Sequence, residues 1–172
     1  MIILCSCKKD NDEPCDGPNG NIAGHPLDSL GLPFATQEGL NTMGCLVDGE
    51  PWKAIEESPF GELSYVISFS LTGDGSLYMY GIDETRMPND GVSLSASGIL
   101  EEGTYTITST AIVYIADGCG GYGIDTTKVN QVEITRVDFD NEILSGTFFM
   151  TAVNETCDTV RITNGRFDLS AD

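Results

Sequence analysis

The sequence is poor in basic residues and in histidine, and these shortages exclude several classes of function. Lys and Arg number 8 against 27 Asp and Glu, which gives a formal net charge of −19 at pH 7. Binding of nucleic acid needs clustered Lys and Arg to neutralise phosphates, so we expect no nucleic-acid partner. With His25 as its single histidine, the chain lacks the residues for a Ser-His-Asp triad or a multi-histidine metal site.

Long apolar runs are also missing, since none reaches the roughly 18 residues of a membrane-spanning helix. The chain of 172 residues is nevertheless 40% hydrophobic, which is enough for a globular core. Its length allows one domain, or one domain and a tail. Residues 8–40 are rich in Pro and Gly and show no helical or strand period. We therefore expect an acidic, flexible tether over residues 7–40 and a folded domain over residues 41–172.

The N-terminus resembles a bacterial lipoprotein signal. Leu4-Cys5-Ser6-Cys7 resembles a lipobox, with an aliphatic residue three places before Cys7 and a small residue just before it. The resemblance implies that residues 1–6 are the remnant of a signal peptide and that Cys7 carries a diacylglycerol. Because only six residues precede Cys7, fewer than the ~7–15 apolar residues of a signal peptide, we interpret Met1 as an internal or mis-called start. The segment 8–13 resembles the acidic export tag of surface-exposed Bacteroidetes lipoproteins.

From Asn41 onward the pattern is typical of short strands. Runs of alternating Thr, Ile, Val, Tyr and Phe are separated by turn sequences such as Glu101-Glu-Gly103 and Asp140-Asn141. No stretch of about ten residues carries an apolar period of 3.6. This organisation predicts an all-β fold, an antiparallel β-sandwich, with a meander β-barrel as the alternative. The predicted strands occupy residues 64–71, 76–82, 92–100, 104–115, 132–139, 144–153 and 160–169.

Two hairpins can be predicted in detail. Asn164-Gly165 favours a two-residue type I′ turn, which places Ile162 opposite Phe167 and Arg161 opposite Asp168 as an ion pair.

The second hairpin, over residues 64–82, allows two registers. An even-length loop buries Tyr78 and Tyr80, whereas a three-residue loop at Gly73-Asp74-Gly75 shifts the register by one and exposes both tyrosines. We favour the buried register because it also buries Ile82.

Four segments together resemble the small Bacteroidetes outer-membrane lipoproteins that contain an uncharacterised β domain. They are Pro33–Gly39, Asn41–Trp52, Leu144–Phe148 and Ile162–Asp168. The resemblance implies a lipid-anchored protein at the cell surface and a β fold. It implies no catalytic residues.

Four cysteines remain after Cys5 and Cys7 are assigned to the signal and the lipid. Cys119 and Cys157 lie in predicted loops beside strands, so we predict a disulfide between them, while Cys15 and Cys45 leave other pairings open. Nothing predicts a zinc site. Acidic turns at residues 83–90 and 138–142 do not have the spacing of a calcium loop, so no cofactor is predicted, although Ca²⁺ remains possible.

Three aromatic residues are the candidate ligand-binding groups: Trp52 at a strand end, and Tyr78 and Tyr80 if their hairpin exposes them. The alternative for Trp52 is a half-buried core position, which is the more common one for a single Trp. The preferred hypothesis is a non-enzymatic, carbohydrate-binding or display module on an outer-membrane lipoprotein. One alternative is a structural or partner-docking subunit of an envelope complex. Another is a hydrolase based on two carboxylates, whose separation a sequence does not reveal.

Overall fold

The computed structural model of the chain describes residues 26–54, 67–83, 90–108, 112–114, 119 and 121–170. Every regular element within these ranges is a strand. The described residues accordingly include no helix that is long and apolar enough to span a membrane. In chain order the strands are β1 (Thr42–Val47), β2 (Glu50–Lys53), β3 (Ile67–Leu71), β4 (Leu77–Asp83), β5 (Asp90–Ala96), β6 (Gly103–Thr106), β7 (Ile112–Tyr114), β8 (Gly121–Ile124), β9 (Gln131–Asp138), β10 (Ile143–Asn154) and β11 (Cys157–Ser170).

All strand pairs are antiparallel, and the main path runs β2-β1-β11-β10-β8-β7-β5-β4-β3. Strand β9 pairs with β10 and carries β6 on its other side. Strand β2 lies against β4 although the two are far apart in this order, because the sheet bends around a shared core. This confirms the predicted all-β, antiparallel, sandwich-like fold, and no pairing among the described residues closes β2 onto β3. The largest buried side chains include Trp52, Tyr122, Phe167, Met43, Met79 and Leu94.

The predicted terminal hairpin at Asn164-Gly165 is wrong. Strand β11 continues straight through these residues and pairs with β10 on one side and with β1 on the other. Against both neighbours the register shifts by one residue at this point, and Asn164 has a φ of 52°. Asn164 is therefore the extra residue of a β-bulge, a position where Asn tolerates the left-handed conformation.

The bulge also explains why the hydrophobic alternation changes phase along β11. Ile162 is buried before the bulge and Phe167 after it, which places an even and an odd position on the same face. A hairpin turn would produce the same phase change. Arg161 and Asp168 do not form the expected ion pair, because Asp168 is fully buried and Arg161 is exposed on the same strand.

The predicted register of the β3–β4 hairpin is also wrong, by one residue. Phe69 lies opposite Met79 and Ser70 opposite Tyr78, so the alternative register is the one that forms. Met79 is fully buried, whereas Tyr78 is exposed. The turn between the strands selects this register, because its odd length moves every β4 side chain to the other face.

Residues 26–40, expected to belong to the tether, lie against the sheet, and we call them the N-terminal strap. Leu32 is fully buried, and Pro33 contacts Gly44 so closely that a Cβ at Gly44 would lie 2.7 Å from the Pro33 Cδ. Arg166 binds the strap with an ion pair to Asp28 (2.9 Å) and a hydrogen bond to the Pro33 carbonyl (3.0 Å). Proline and glycine here shape a packed segment, and the rest of the predicted tether lies outside the described residues.

The disulfide predicted between Cys119 and Cys157 is present in the structure. It joins the segment before β8 to the first residue of β11. The Asn154 side chain supports the same corner, because its Nδ2 donates hydrogen bonds to the carbonyls of Cys119 (3.0 Å) and Gly121 (2.7 Å). Cys45 is a buried thiol in β1, and Cys7 and Cys15 lie outside the described residues.

Candidate functional site

Trp52, the first candidate ligand-binding residue, is part of the core. Its side chain is 1% exposed and faces the inner side of β4. A Cβ at Gly81 would lie 3.1 Å from the Trp52 Cη2 and 3.0 Å from the Met43 Sδ, so the ring occupies space that a side chain at Gly81 would need. Within the described part of the chain its Nε1 has no hydrogen-bond partner. Trp52 therefore cannot present its face to a ligand in this conformation.

Tyr80 lies on the outer face of β4 but is only partly accessible. Its ring lies across the neighbouring strand, where a Cβ at Gly91 would be 3.1 Å from the Tyr80 Cε2. An aromatic ring commonly covers a glycine in this way on a sheet surface. The absence of a side chain at Gly91 is what allows the ring to lie flat on β5.

Tyr78 is the predicted aromatic residue that the structure places at the surface. Its side chain is 48% exposed and lines an open groove of about 370 Å³ at one end of β4 and β5. The other lining residues are five with a hydroxyl group, Thr72, Ser76, Ser95, Ser97 and Thr108, and two apolar ones, Leu77 and Ala96. We call this the Tyr78 groove. It combines one aromatic surface with several groups that can both donate and accept hydrogen bonds.

One wall of the Tyr78 groove is the turn between β3 and β4. The Thr72 amide donates to the Ser76 carbonyl (3.1 Å) and the Gly75 amide to the Thr72 carbonyl (2.8 Å). Gly75 has a φ of +79°, and a Cβ there would lie 2.5 Å from the Ile99 amide nitrogen. The same amide donates to the Gly75 carbonyl at 3.0 Å. Glycine is therefore required for this turn to dock on the segment that follows β5.

The opposite wall is the segment that follows β6. The Thr108 amide donates a hydrogen bond of 2.8 Å to the Ser95 carbonyl, and the Thr108 hydroxyl donates to the same oxygen at 3.3 Å. Ile107, one residue earlier, is buried and donates its amide to the Asn130 carbonyl at 3.0 Å. Both walls are thus fixed by backbone hydrogen bonds, so the groove is formed before any ligand arrives.

The charge around the Tyr78 groove is negative or absent. Every described residue that lines it is uncharged. Asp74 stands in the adjoining turn and accepts hydrogen bonds from the Thr72 hydroxyl and from the Ser76 amide (3.1 Å). These bonds hold the pKa of Asp74 below its ordinary value, so the rim carries a negative charge at neutral pH. The groove therefore suits a neutral or cationic polar ligand better than an anionic one.

A second polar cluster, around Asp168, was not predicted from the sequence. The buried Asp168 carboxylate accepts hydrogen bonds from the hydroxyls of Thr36 and Ser145, each 2.6 Å long. The backbone amides of Glu38 (3.0 Å), Gly39 (2.9 Å) and Leu40 (3.3 Å) also donate to it. Burial alone would raise the pKa of Asp168, but these donors outweigh it and the pKa is lowered. The Asp168 carboxylate itself fills the space between these donors. The cluster therefore holds the strap and leaves no space for a ligand.

Hydrogen bonds lower the pKa of several described carboxyl groups, which favours their ionised form at neutral pH. Each shift that is resolved is downward, and hydrogen bonds from Asn141 and Arg136 lower the pKa of Asp138 to about 2. No three His, Cys, Asp or Glu residues in the described ranges are grouped so as to hold a metal ion. The other carboxyl groups with a lowered pKa are Asp28, Asp74, Asp125 and Asp168.

Comparisons with known proteins do not assign this site. The chain matches no protein-family model, and it shows no significant similarity to curated proteins or to solved structures. The functional argument therefore rests on the chemistry of the described residues.

Proposed function

We propose that this chain is a surface-exposed outer-membrane lipoprotein whose β domain binds carbohydrate without catalysis, through the Tyr78 groove. The observation that carries the proposal is the position of Tyr78, half exposed in a groove whose other lining residues are Ser and Thr together with the apolar Leu77 and Ala96. A sugar presents apolar C–H faces that pack on an aromatic ring and hydroxyl groups that pair with Ser and Thr. Trp52 and Tyr80 are not part of the proposed contact surface.

The ligand class follows from the charge of the groove. Asp74 at the rim and the net charge of −19 repel uronic acids and sulfated sugars. A neutral oligosaccharide fits these conditions. Because the groove is open and shallow, we expect modest affinity, with a dissociation constant of about 10 μM to 1 mM.

A glycan array that contains neutral and acidic oligosaccharides tests the proposal. The wild-type chain should bind a subset of the neutral glycans, and Tyr78→Ala should lose this binding. Phe149→Ala is a matched control, since Phe149 is an aromatic residue of similar exposure (42%) on β10. If the wild type binds no glycan, or if Tyr78→Ala retains the same binding pattern, carbohydrate recognition at this groove is wrong.

The lipid anchor is supported by the sequence around Cys7, which lies outside the described residues. Metabolic labelling with an alkyne fatty acid in the native cell tests it independently of any glycan. The wild-type chain should be labelled and fractionate with the outer membrane, and Cys7→Ala should be unlabelled. Equal labelling of the two would contradict acylation at Cys7.

A further inference from the structure

A second surface combines apolar and acidic side chains from the loop between β5 and β6 and from the end of β9 and the turn that follows it. Leu100 is 60% exposed and Phe139 is 52% exposed. Together with Glu101, Glu102 and the partly buried Val137 they line a shallow concave surface of about 430 Å³. We call these residues the Leu100–Phe139 patch. Single exposed apolar residues are common on proteins, so the relevant observation is that two large ones from separate loops line the same concavity beside two carboxylates.

Hydrogen bonds hold in place the two loops that form this patch. The Tyr105 hydroxyl donates a hydrogen bond of 2.8 Å to the Glu101 carbonyl, which fixes the loop between β5 and β6 beside β6. On the other connection, the Asn141 amide donates to Asp138 at 3.0 Å and closes the turn between β9 and β10. Leu100 and Phe139 are therefore presented by turns with internal hydrogen bonds.

The described charged residues that line the Leu100–Phe139 patch, or that follow Phe139 in the adjoining turn, are all acidic. Glu101 and Glu102 are exposed within it, and Asp140 and Glu142 are exposed in the adjoining turn. The basic residue nearest in sequence, Arg136, does not compensate them, because it forms an ion pair of 2.7 Å with Asp138.

We propose that the Leu100–Phe139 patch is a docking surface for a partner protein whose contacting segment presents apolar side chains flanked by Lys or Arg. Leu100 and Phe139 supply the apolar contact, and the surrounding carboxylates select a basic partner through charge complementarity. A second copy of this chain does not fit, because it would bring acidic surfaces of the same sign together. The proposal is independent of the Tyr78 groove.

A fluorescently labelled peptide of alternating Leu and Lys is a suitable probe, and peptides of alternating Ser and Lys or Leu and Glu are its controls. Anisotropy titration of the full chain should show binding of the Leu/Lys peptide in preference to both controls. Phe139→Ser should weaken this binding about tenfold, as for a central apolar contact. Glu101→Gln/Glu102→Gln should weaken it about threefold and reduce its dependence on salt.

Matched control variants at distant positions distinguish binding at the patch from a general electrostatic attraction of the basic peptide to an acidic protein. Val129→Ser removes an apolar side chain that is 65% exposed before the other end of β9. Glu155→Gln/Asp158→Asn removes two exposed acids at the far end of β10. Neither control should change the affinity.

Three results would overturn the proposal. The first is equal binding of the Ser/Lys and Leu/Lys peptides. The second is equal weakening by the patch variants and the distant controls. The third is a dimer of the wild-type chain in light scattering that Phe139→Ser abolishes, because the occupant would then be a second copy. Thermal unfolding of Phe139→Ser should match the wild type, which shows that a loss of binding is not a loss of fold.

Discussion

The hydroxyl of Thr36 donates a hydrogen bond of 2.6 Å to the carboxylate of Asp168, across a sequence separation of 132 residues. This contact, with those from the amides of Glu38, Gly39 and Leu40, attaches the N-terminal strap to β11, and the Ser145 hydroxyl of β10 donates to the same carboxylate. Asp168 is fully buried. A buried carboxylate is stable only when such donors replace its hydration, so strap and sheet depend on each other for stability.

Asp168→Asn should therefore destabilise the domain. The amide side chain loses the negative charge and turns an NH₂ group toward donors, so several hydrogen bonds to a charged acceptor are lost. We expect the free energy of unfolding to fall by about 2–4 kcal/mol. Urea denaturation measures this change. Asp158→Asn on the surface of the same strand should change the free energy by no more than about 0.5 kcal/mol.

Stability should also depend on pH through the same group. The folded-state pKa of Asp168 is lowered from 3.8, so the folded state stabilises the ionised form. Its contribution is complete above pH 3.8 and is lost as the pH falls through the lower, folded-state pKa. The difference in unfolding free energy between wild type and Asp168→Asn should be constant from pH 7 to about pH 5 and should shrink below about pH 4. A difference that grows on acidification would contradict the assignment.

Substitutions at Asn164 and Gly165 test the backbone conformation and the packing of the bulge. Asn164 has a φ of 52°, so Asn164→Gly should change stability by less than about 0.5 kcal/mol, whereas Asn164→Val should cost about 1–2 kcal/mol. A Cβ at Gly165 would lie 2.6 Å from the Cδ2 and carbonyl oxygen of Phe148. Gly165→Ala should therefore cost about 1–3 kcal/mol through overpacking. If Gly165→Ala cost nothing, the close approach of Phe148 to this position, and with it the pairing of β10 with β11, would be wrong.

The disulfide between Cys119 and Cys157 should contribute measurably to stability. It spans a sequence separation of 38 residues, for which the chain-entropy model gives about 3–4 kcal/mol. Cys119→Ser/Cys157→Ser should lose this amount in denaturant titrations. Reductant should destabilise the wild type to the same level and leave the double variant unchanged. An effect of reductant on the double variant would place the stabilising bond elsewhere.

The fold class could be predicted from the sequence because period-2 patterns and turn residues are local signals. The strand pairing could not, and residues 160–169 show why. The apolar residues before Asn164, Val160 and Ile162, have even numbers, and those after it, Phe167 and Leu169, have odd numbers. A turn or a bulge at Asn164 explains this change in the apolar alternation equally well. The structure forms the bulge, because long strands β1 and β10 then pair with β11 on its two edges.

The candidate site was predicted in part. Tyr78 is among the candidates that the sequence provides. Its exposure depends on whether the loop between β3 and β4 has an odd or an even number of residues, and the composition does not determine that number. Trp52 is a core residue, as a single Trp more often is, and the sequence does not show where it packs because the glycine beside its ring, Gly81, belongs to a strand distant in sequence. Asp168 carried a signal that could have been used, since it lies between the apolar Phe167 and Leu169 in a strand that is paired on both sides.

Nuclear magnetic resonance titration with a neutral oligosaccharide selected on the array tests the central claim most directly, because it locates the ligand on the domain. The account predicts that the backbone amide signals of Ser76, Tyr78, Ser97 and Thr108 shift on titration, while those of Phe149 and Glu142 stay unchanged. Shifts that cluster away from the Tyr78 groove, or the absence of any shift at saturating sugar, would contradict it.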